Sequence, residues 1–255
     1  MTTPIVRMIP LGVGEAFTAR HYTTCLAFGV DDAWMLVECP HPVRKLLREG
    51  SEAAGVPLDL DRIEAVAVSH LHADHCSGLE DYGYYSHFVL NRPARLLMHP
   101  DASARLWDGL LAGGMEEVRL HPGAPMTRKR LDDYFDLVPL DESGPVRVGP
   151  FAIECRPTIH PIPTTAFRIE AGGRTLAFSA DTAFDPALID WLAPADLIVH
   201  EVTNHAESHV HTPYHKLAAL PAALRARMRL IHFPDDFDHA ASTIEPLQQG
   251  RCYLL

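Results

Sequence analysis

The chain has 255 residues with 22 Lys+Arg against 33 Asp+Glu, a net charge of −11, 47% hydrophobic and 22% charged residues. That balance suits a folded core and argues against a surface for nucleic acid or anionic lipid, which needs clustered Lys and Arg. No apolar run approaches the roughly 18 residues of a membrane span, the start Met1-Thr2-Thr3-Pro4-Ile5 lacks a leader pattern, and five dispersed cysteines form no Cys-x-x-Cys pair, so the reading is a cytoplasmic protein with no membrane partner and no disulfide framework.

Short β-branched or apolar runs between turn residues predict strands at 5–9, 23–28, 34–37, 63–68, 95–98, 151–155, 166–170, 175–178, 197–199 and 230–233. Helices are expected at 42–49 with Gly50 as the stop, at 102–111, at 186–192, and at 216–227 interrupted by Pro221. Gly113-Gly114, His121 to Pro125 and Ser143-Gly144-Pro145 read as surface loops, and Arg128-Lys129-Arg130 as a solvated basic face. No linker or like-charge block marks a seam, so residues 1–255 read as one domain. Strands, a helix and a ligand-rich loop, then the same events again, predict an α/β fold: two sheets packed together with helices outside, an αββα sandwich.

Histidine is the compositional outlier, 16 in the chain, and its placement carries the chemistry. The run Ala65-Val66-Ala67-Val68 ends in Ser69-His70-Leu71-His72-Ala73-Asp74-His75. In extended backbone His70 and His72 leave the same side and can hold one metal, while Asp74 and His75, past the bend, can face a second. Four donors in six residues are hard to explain as packing.

His70-x-His72-x-Asp74-His75 resembles the signature of the metallo-β-lactamase superfamily, an αββα sandwich with one or two metals. The resemblance implies three later ligands: His160 in Thr158-Ile159-His160-Pro161, Asp181 in Ser179-Ala180-Asp181-Thr182, and His232 in Leu230-Ile231-His232-Phe233. It assigns His70, His72 and His160 to one metal, Asp74, His75 and His232 to the other, and Asp181 between them. Such N/O ligation suits Zn²⁺, with Mn²⁺, Fe²⁺ or Co²⁺ able to substitute. Two cations so held would activate a shared water and align a phosphoryl group, so hydrolysis is the expected chemistry.

Leu197-Ile198-Val199-His200-Glu201 followed by His209-Val210-His211-Thr212 resembles the phosphodiesterase branch that includes ribonuclease Z. That match implies that Glu201 orients His211 and that His211 protonates the leaving alkoxide, with Asp74 helping to orient the attacking water. Leu11-Gly12-Val13-Gly14-Glu15-Ala16-Phe17 also looks like this branch, whereas Glu38-Cys39-Pro40 departs from its usual Asp and leaves that position without an assigned role. Only 21 positions separate His160 from Asp181, which leaves no room for the tRNA-binding arm of ribonuclease Z, and no folded nucleic acid is expected as a partner.

His75 to Gly83, Leu131 to Asp136, and His211-Thr212 through Pro221 to His232 resemble the anti-Pycsar proteins and their bacterial relatives. This resemblance implies a homodimer that opens 3′,5′-cyclic mononucleotides, a small-molecule phosphodiester, to 5′-monophosphates. Tyr82, Tyr84, Tyr85 and His87 are the nominated base-stacking residues. The competing readings are a lactonase or thioesterase on the same metals, and a binding protein that sequesters a nucleotide without cutting it.

Overall fold

A computed structural model describes residues 4–255, and the leader reading at Met1-Thr2-Thr3 falls outside the described residues. Strands β1 (Val6–Gly12), β2 (Cys25–Val30) and β3 (Ala33–Val37) form an antiparallel meander. Helix α1 (Val43–Ala53) carries the chain back, so β4 (Ile63–Ala67) runs parallel to β3. The short α2 (Ala73–Cys76) and α3 (Leu79–Phe88) lead to β5 (Ala94–Met98), parallel to β4. Next come α4 (Pro100–Ser103), a π turn at Trp107–Leu111, α5 (Ala112–Met115), a small hairpin of β6 (Glu117–Val118) and β7 (Thr127–Arg128), and α6 (Leu131–Tyr134). β8 (Phe135–Pro139) then pairs parallel with β5.

The second sheet repeats the plan. β9 (Val146–Val148), β10 (Phe151–Pro157), β11 (Thr165–Ala171) and β12 (Arg174–Phe178) are antiparallel neighbours. After α7 (Pro186–Leu192), β13 (Leu197–Glu201) lies parallel to β12. After α8 (Tyr214–Ala218) and α9 (Ala222–Arg225), β14 (Met228–Ile231) lies parallel to β13, with β15 (Glu245–Pro246) at the edge. β16 (Tyr253–Leu254) returns to pair with β1, giving the orders β16-β1-β2-β3-β4-β5-β8 and β15-β14-β13-β12-β11-β10-β9.

The two-residue period of a strand sorts the first sheet's side chains between two cores. Leu26, Phe28 and Val30 of β2 and Met35 and Val37 of β3 join the core that includes Phe151, Phe167 and Phe178 of the second sheet. Cys25, Ala27, Trp34 and Leu36 join the other, with Leu46 and Leu47 of α1 and Leu79 and Tyr82 of α3. Both faces are buried, as near-continuous apolar strands require, and the αββα layering expected from the sequence is what forms.

All ten expected strands form, and the helices differ in instructive ways. Helix α1 runs past Gly50 to Ala53 because Gly50 packs on Leu11: a Cβ there would sit 2.8 Å from Leu11 Cδ2. The expected 102–111 helix breaks, since its buried Leu106 and Leu111 are five apart and the chain widens into a π turn to bury both. Gly113-Gly114, read as a loop, lies in α5. Helix α3 was not expected from its Tyr- and Gly-rich sequence; packing makes it, with Leu79, Tyr82, Gly83 and Ser86 buried at helical spacing and no room for a Cβ on Gly83 beside Phe135. Arg128 of the basic triplet is exposed, as expected, but pairs with Glu116 at 2.7 Å.

Candidate metal centre

The parallel strands of both sheets end at one edge of the sandwich, where open α/β sheets place their ligand sites. Past β4, Ser69 Oγ meets His70 Nδ1 at 2.8 Å, and His72 holds the extended N-cap of α2 (φ −72°, ψ 144°), so both rings face one space in edge-to-face contact. Asp74 and His75 follow in the single turn of α2. His160 comes from the β10–β11 loop, Asp181 from the end of β12, and His232 from the end of β14.

These seven side chains converge as two trios that share one carboxylate. His72 Nδ1 lies 2.9 Å from His70 Nε2 and 3.1 Å from His160 Nε2, and Asp181 Oδ2 stands 3.9 Å from each of the latter two nitrogens. On the other side, Asp74 Oδ2 lies 3.2 Å from both His75 Nε2 and His232 Nε2, while Asp181 Oδ1 is 3.4 and 3.5 Å from them. Asp181 thus turns one oxygen to each trio.

The donor chemistry fits divalent cations. Burial pulls His70 well below the usual histidine range and, as the largest effect, takes His160 down to about 4, so these imidazoles are neutral with a lone pair to give. Burial opposes ionisation of Asp181, yet the His232 and His75 charges outweigh it and hold the carboxyl well below its usual range. His75 Nε2 and Asp181 Oδ1 are buried without a geometrically sound hydrogen-bond partner, a costly state that a cation held by the second trio would relieve.

Beside the trios stand Glu201 and His211. Glu201, at the end of β13, is 1% exposed; its Oε1 accepts from Thr182 N at 2.9 Å and Thr212 N at 3.2 Å and lies 3.3 Å from His211 Nδ1. Burial would lower the His211 pKa, but the hydrogen bond and charge of Glu201, with Asp181 behind, take it up to about 9. His211 Nδ1 is 3.9 Å from Asp181 Oδ2, and its ring stacks on His232.

Glu38, left without a role by sequence, is fully buried at the end of β3 with φ 69°. Its Oε2 accepts from Ser69 N at 3.2 Å, and its Oε1 faces His75 Nδ1 at 3.4 Å. A carboxylate behind a donor imidazole fixes its tautomer and orientation. Nothing local signals this: the contact spans 37 positions and depends on β3 lying beside β4. The base-stacking nominees all lie on α3. Tyr82 is in the outer core, Tyr84 donates to Gly114 O, Tyr85 carries Arg44 over its ring, and His87 Nδ1 meets Asp133 O. Tyr82 is fully buried, and the other three are half-buried against groups of α5, α1 and α6. A cavity of about 1100 Å³ also lies away from the trios, at the starts of β4, β5 and β8.

The family model "Anti-Pycsar protein Apyc1" matches residues 6–253. The chain belongs to the anti-Pycsar protein Apyc1 family. Apyc1 of Saccharibacillus brassicae is 28% identical over 250 residues, covering 95% of this chain and 97% of that protein. Apyc1 of Bacillus phage 010DV004 is likewise 28% identical, covering 96% of each. Among solved structures, the metallo-β-lactamase fold protein YhfI of Bacillus subtilis matches with a TM-score of 0.75 at 21% identity, covering 98% of this chain and 99% of that one. The short form of human tRNase Z matches at 0.68 and 19%, covering 97% and 98%. The fold is therefore the metallo-β-lactamase fold, and both the superfamily and the anti-Pycsar resemblance read from the sequence hold. This Apyc1-family chain is a metal-dependent hydrolase of the phosphodiesterase type, its divalent-metal donors gathered at one sheet edge. Among its described residues no helix is long and apolar enough to cross a membrane.

Proposed function

We propose that the protein is a dinuclear phosphodiesterase that opens 3′,5′-cyclic mononucleotides to 5′-monophosphates, working as a homodimer. His70, His72 and His160 would hold one ion and Asp74, His75 and His232 the other, with Asp181 shared; Zn²⁺ would suit the set and Mn²⁺ could replace it. The supporting observation is the division of Asp181, Oδ2 toward the first trio and Oδ1 toward the second, with the His211–Glu201 pair alongside. When bound, the ions supply a water made acidic enough to attack near neutral pH and neutralise charge on the phosphoryl oxygens.

The chain's own groups do the rest. Asp74 accepts a hydrogen bond from the attacking water and aims it at phosphorus. Glu201 accepts a hydrogen bond from His211 Nδ1–H and keeps the ring protonated, so that Nε2–H protonates the departing ribose 3′-oxygen, a poor leaving group that needs an acid. The cyclic-nucleotide substrate is what the resemblance to the anti-Pycsar proteins implies, and membership of that family supports it.

The test is chromatographic. Protein loaded with Zn²⁺ or Mn²⁺ is incubated with cyclic AMP, GMP, CMP and UMP, a linear dinucleotide and a simple lactone, with Asp181→Ala as control and bound metal measured in parallel. Conversion of the cyclic nucleotides to 5′-monophosphates, lost in the variant, is the expected result. Opening of the lactone alone, or recovery of every nucleotide intact, overturns the reading.

A further inference from the structure

The cavity of about 1100 Å³ opens at the starts of β4, β5 and β8, whereas the metal donors follow strand ends. β4 begins at the cavity with Ile63 and runs toward His70, so the length of a strand separates the two places. The cavity floor is apolar: Ile63 opens β4, Phe135 opens β8, and each is 2% exposed. Trp107 of the π turn stands at its side, half-buried, with its indole stacked on Tyr134 at 6.3 Å between ring centroids. Helix α3 supplies another wall, through Tyr82 and Ser86 one turn apart.

The polar groups on this lining are only half used. Tyr82 and Ser86 are both 2% exposed, yet among the described residues neither hydroxyl has a hydrogen-bond partner, and both side chains line the cavity. Folded chains pair their buried hydroxyls, so two unpaired ones on one cavity wall call for a ligand. The Arg92 and Glu64 charges both act on the Tyr82 hydroxyl, which puts the tip of that ring among the charged groups of the lining. Those groups comprise four arginines and four carboxylates. Arg95 is paired with Asp136 at 3.4 Å and Arg128 with Glu116 at 2.7 Å. Among the described residues Arg130, Glu64 and Asp132 enter no ion pair, and Arg92 only donates to the Asp61 carbonyl at 3.2 Å.

We infer that this cavity is a second ligand site, remote from the metal centre, that takes a nucleoside monophosphate. Arg92 and Arg130 receive the phosphate, Trp107 stacks on the base, Glu64 and Asp132 accept from the ribose hydroxyls, and Tyr82 and Ser86 donate to the ligand's oxygens. A bare anion would use the guanidiniums but meet two unpaired carboxylates. A neutral ring would use the indole and leave the guanidiniums without a partner. Only a molecule that joins phosphate, hydroxyls and a flat ring engages every unpaired group, and the cavity is large enough to hold one. The site stands independently of the reaction at the metal centre.

The experiment labels the three tryptophans of the full chain with 5-fluorotryptophan and follows their fluorine NMR signals as adenosine 5′-monophosphate is added, with Trp107→Phe assigning the Trp107 signal. That signal should shift saturably, and equally in Asp181→Ala, where the metal centre is disabled. Arg130→Gln should weaken binding at least about ten-fold, the scale of a lost charge-assisted hydrogen bond. Tyr82→Phe should weaken it about five-fold at unchanged Tm, because within the chain that hydroxyl holds nothing. Adenosine and ribose 5-phosphate, each missing one half of the ligand, should bind at least about ten-fold more weakly than the whole. No shift at Trp107, a shift lost in Asp181→Ala, or affinity unmoved by Arg130→Gln overturns the site. Inorganic phosphate binding as well as the nucleotide overturns the choice of ligand and leaves a plain anion site.

Discussion

Lowering the pH from 7 to 5 should cost the fold about 2 kcal/mol through His200 alone. The ring is 1% exposed on β13, has no acid beside it, and its Nδ1–H donates to Glu201 O at 2.7 Å. Burial holds its pKa down at about 4, against 6.5 for the unfolded chain. The folded value lies below the unfolded one, so the unfolded chain takes the proton first. The contribution of the neutral ring is complete above pH 6.5, drains as pH falls, and is gone below about 4. That gap, at 1.36 kcal/mol per pH unit, amounts to about 3 kcal/mol in full and about 2 kcal/mol by pH 5. His200→Asn keeps an amide N–H near the Nδ1 position and removes the titration. Urea unfolding of metal-free wild type and variant at pH 7, 6 and 5 cancels the histidines common to both. The stability gap should move by about 2 kcal/mol in favour of the variant on going to pH 5, roughly 4–8 °C in Tm for a chain of this size. The volume lost in the variant shifts the gap at every pH equally and leaves its slope alone. Parallel pH curves would refute the reasoning.

Other consequences follow from the same geometry. His211→Ala should slow cyclic-nucleotide hydrolysis by about 10²–10⁴ while affecting an activated nitrophenyl ester far less, since only the alkoxide needs an acid; equal losses remove the proton-donor role. Glu38→Gln should weaken divalent-metal binding by about 10- to 100-fold in a chelator competition, because Glu38 Oε1 no longer fixes His75; unchanged affinity would make the carboxylate merely a ligand for Ser69 N. The Arg44 hydrogen bonds lower the Asp59 pKa, so that pair's contribution is present above the ordinary aspartate range and lost as pH falls through it. The Tm deficit of Asp59→Asn should therefore be visible at pH 7 and close toward pH 2, and a deficit constant with pH would exclude the ion pair as its cause.

How much was legible depended on sequence distance. Residues 63–75 could be read because strand, bend and four donors are contiguous, and alternation alone puts His70 and His72 on one face. His160, Asp181 and His232 are single residues after strands, and only their order within a family pattern brought them out. Glu38, His200 and helix α3 were not legible for one common reason: each is decided by what another element presses against it. Glu38 needs Ser69 and His75 across a strand pair, His200 needs complete burial in the second sheet, and α3 needs the close approach of Gly83 to Phe135.

The backbone explains why the donors cluster at strand ends and not along strands. Five described non-glycine residues have left-handed φ, and apart from Asp31 and Asn91 they are Glu38 (69°), Ala180 (50°) and His232 (56°), at the ends of β3, β12 and β14. An extended strand throws successive side chains to opposite faces, so it cannot bring donors from several strands to one point beyond its end. One left-handed residue reverses the chain there and folds the side chain, or its neighbour, back over the edge. Each such residue costs on the order of 1–3 kcal/mol and persists only where its surroundings hold it. Ser69 N holds Glu38, Ser179 Oγ holds the Ala180 carbonyl at 2.8 Å, and Asp74 holds His232. The same three residues bring in, respectively, the carboxylate behind His75, the shared Asp181, and a donor of the second trio. Backbone strain and unpartnered donor atoms thus coincide at one edge, and a cation binding there offsets both, stabilising the folded chain by about 4 kcal/mol at a concentration a thousand times its Kd.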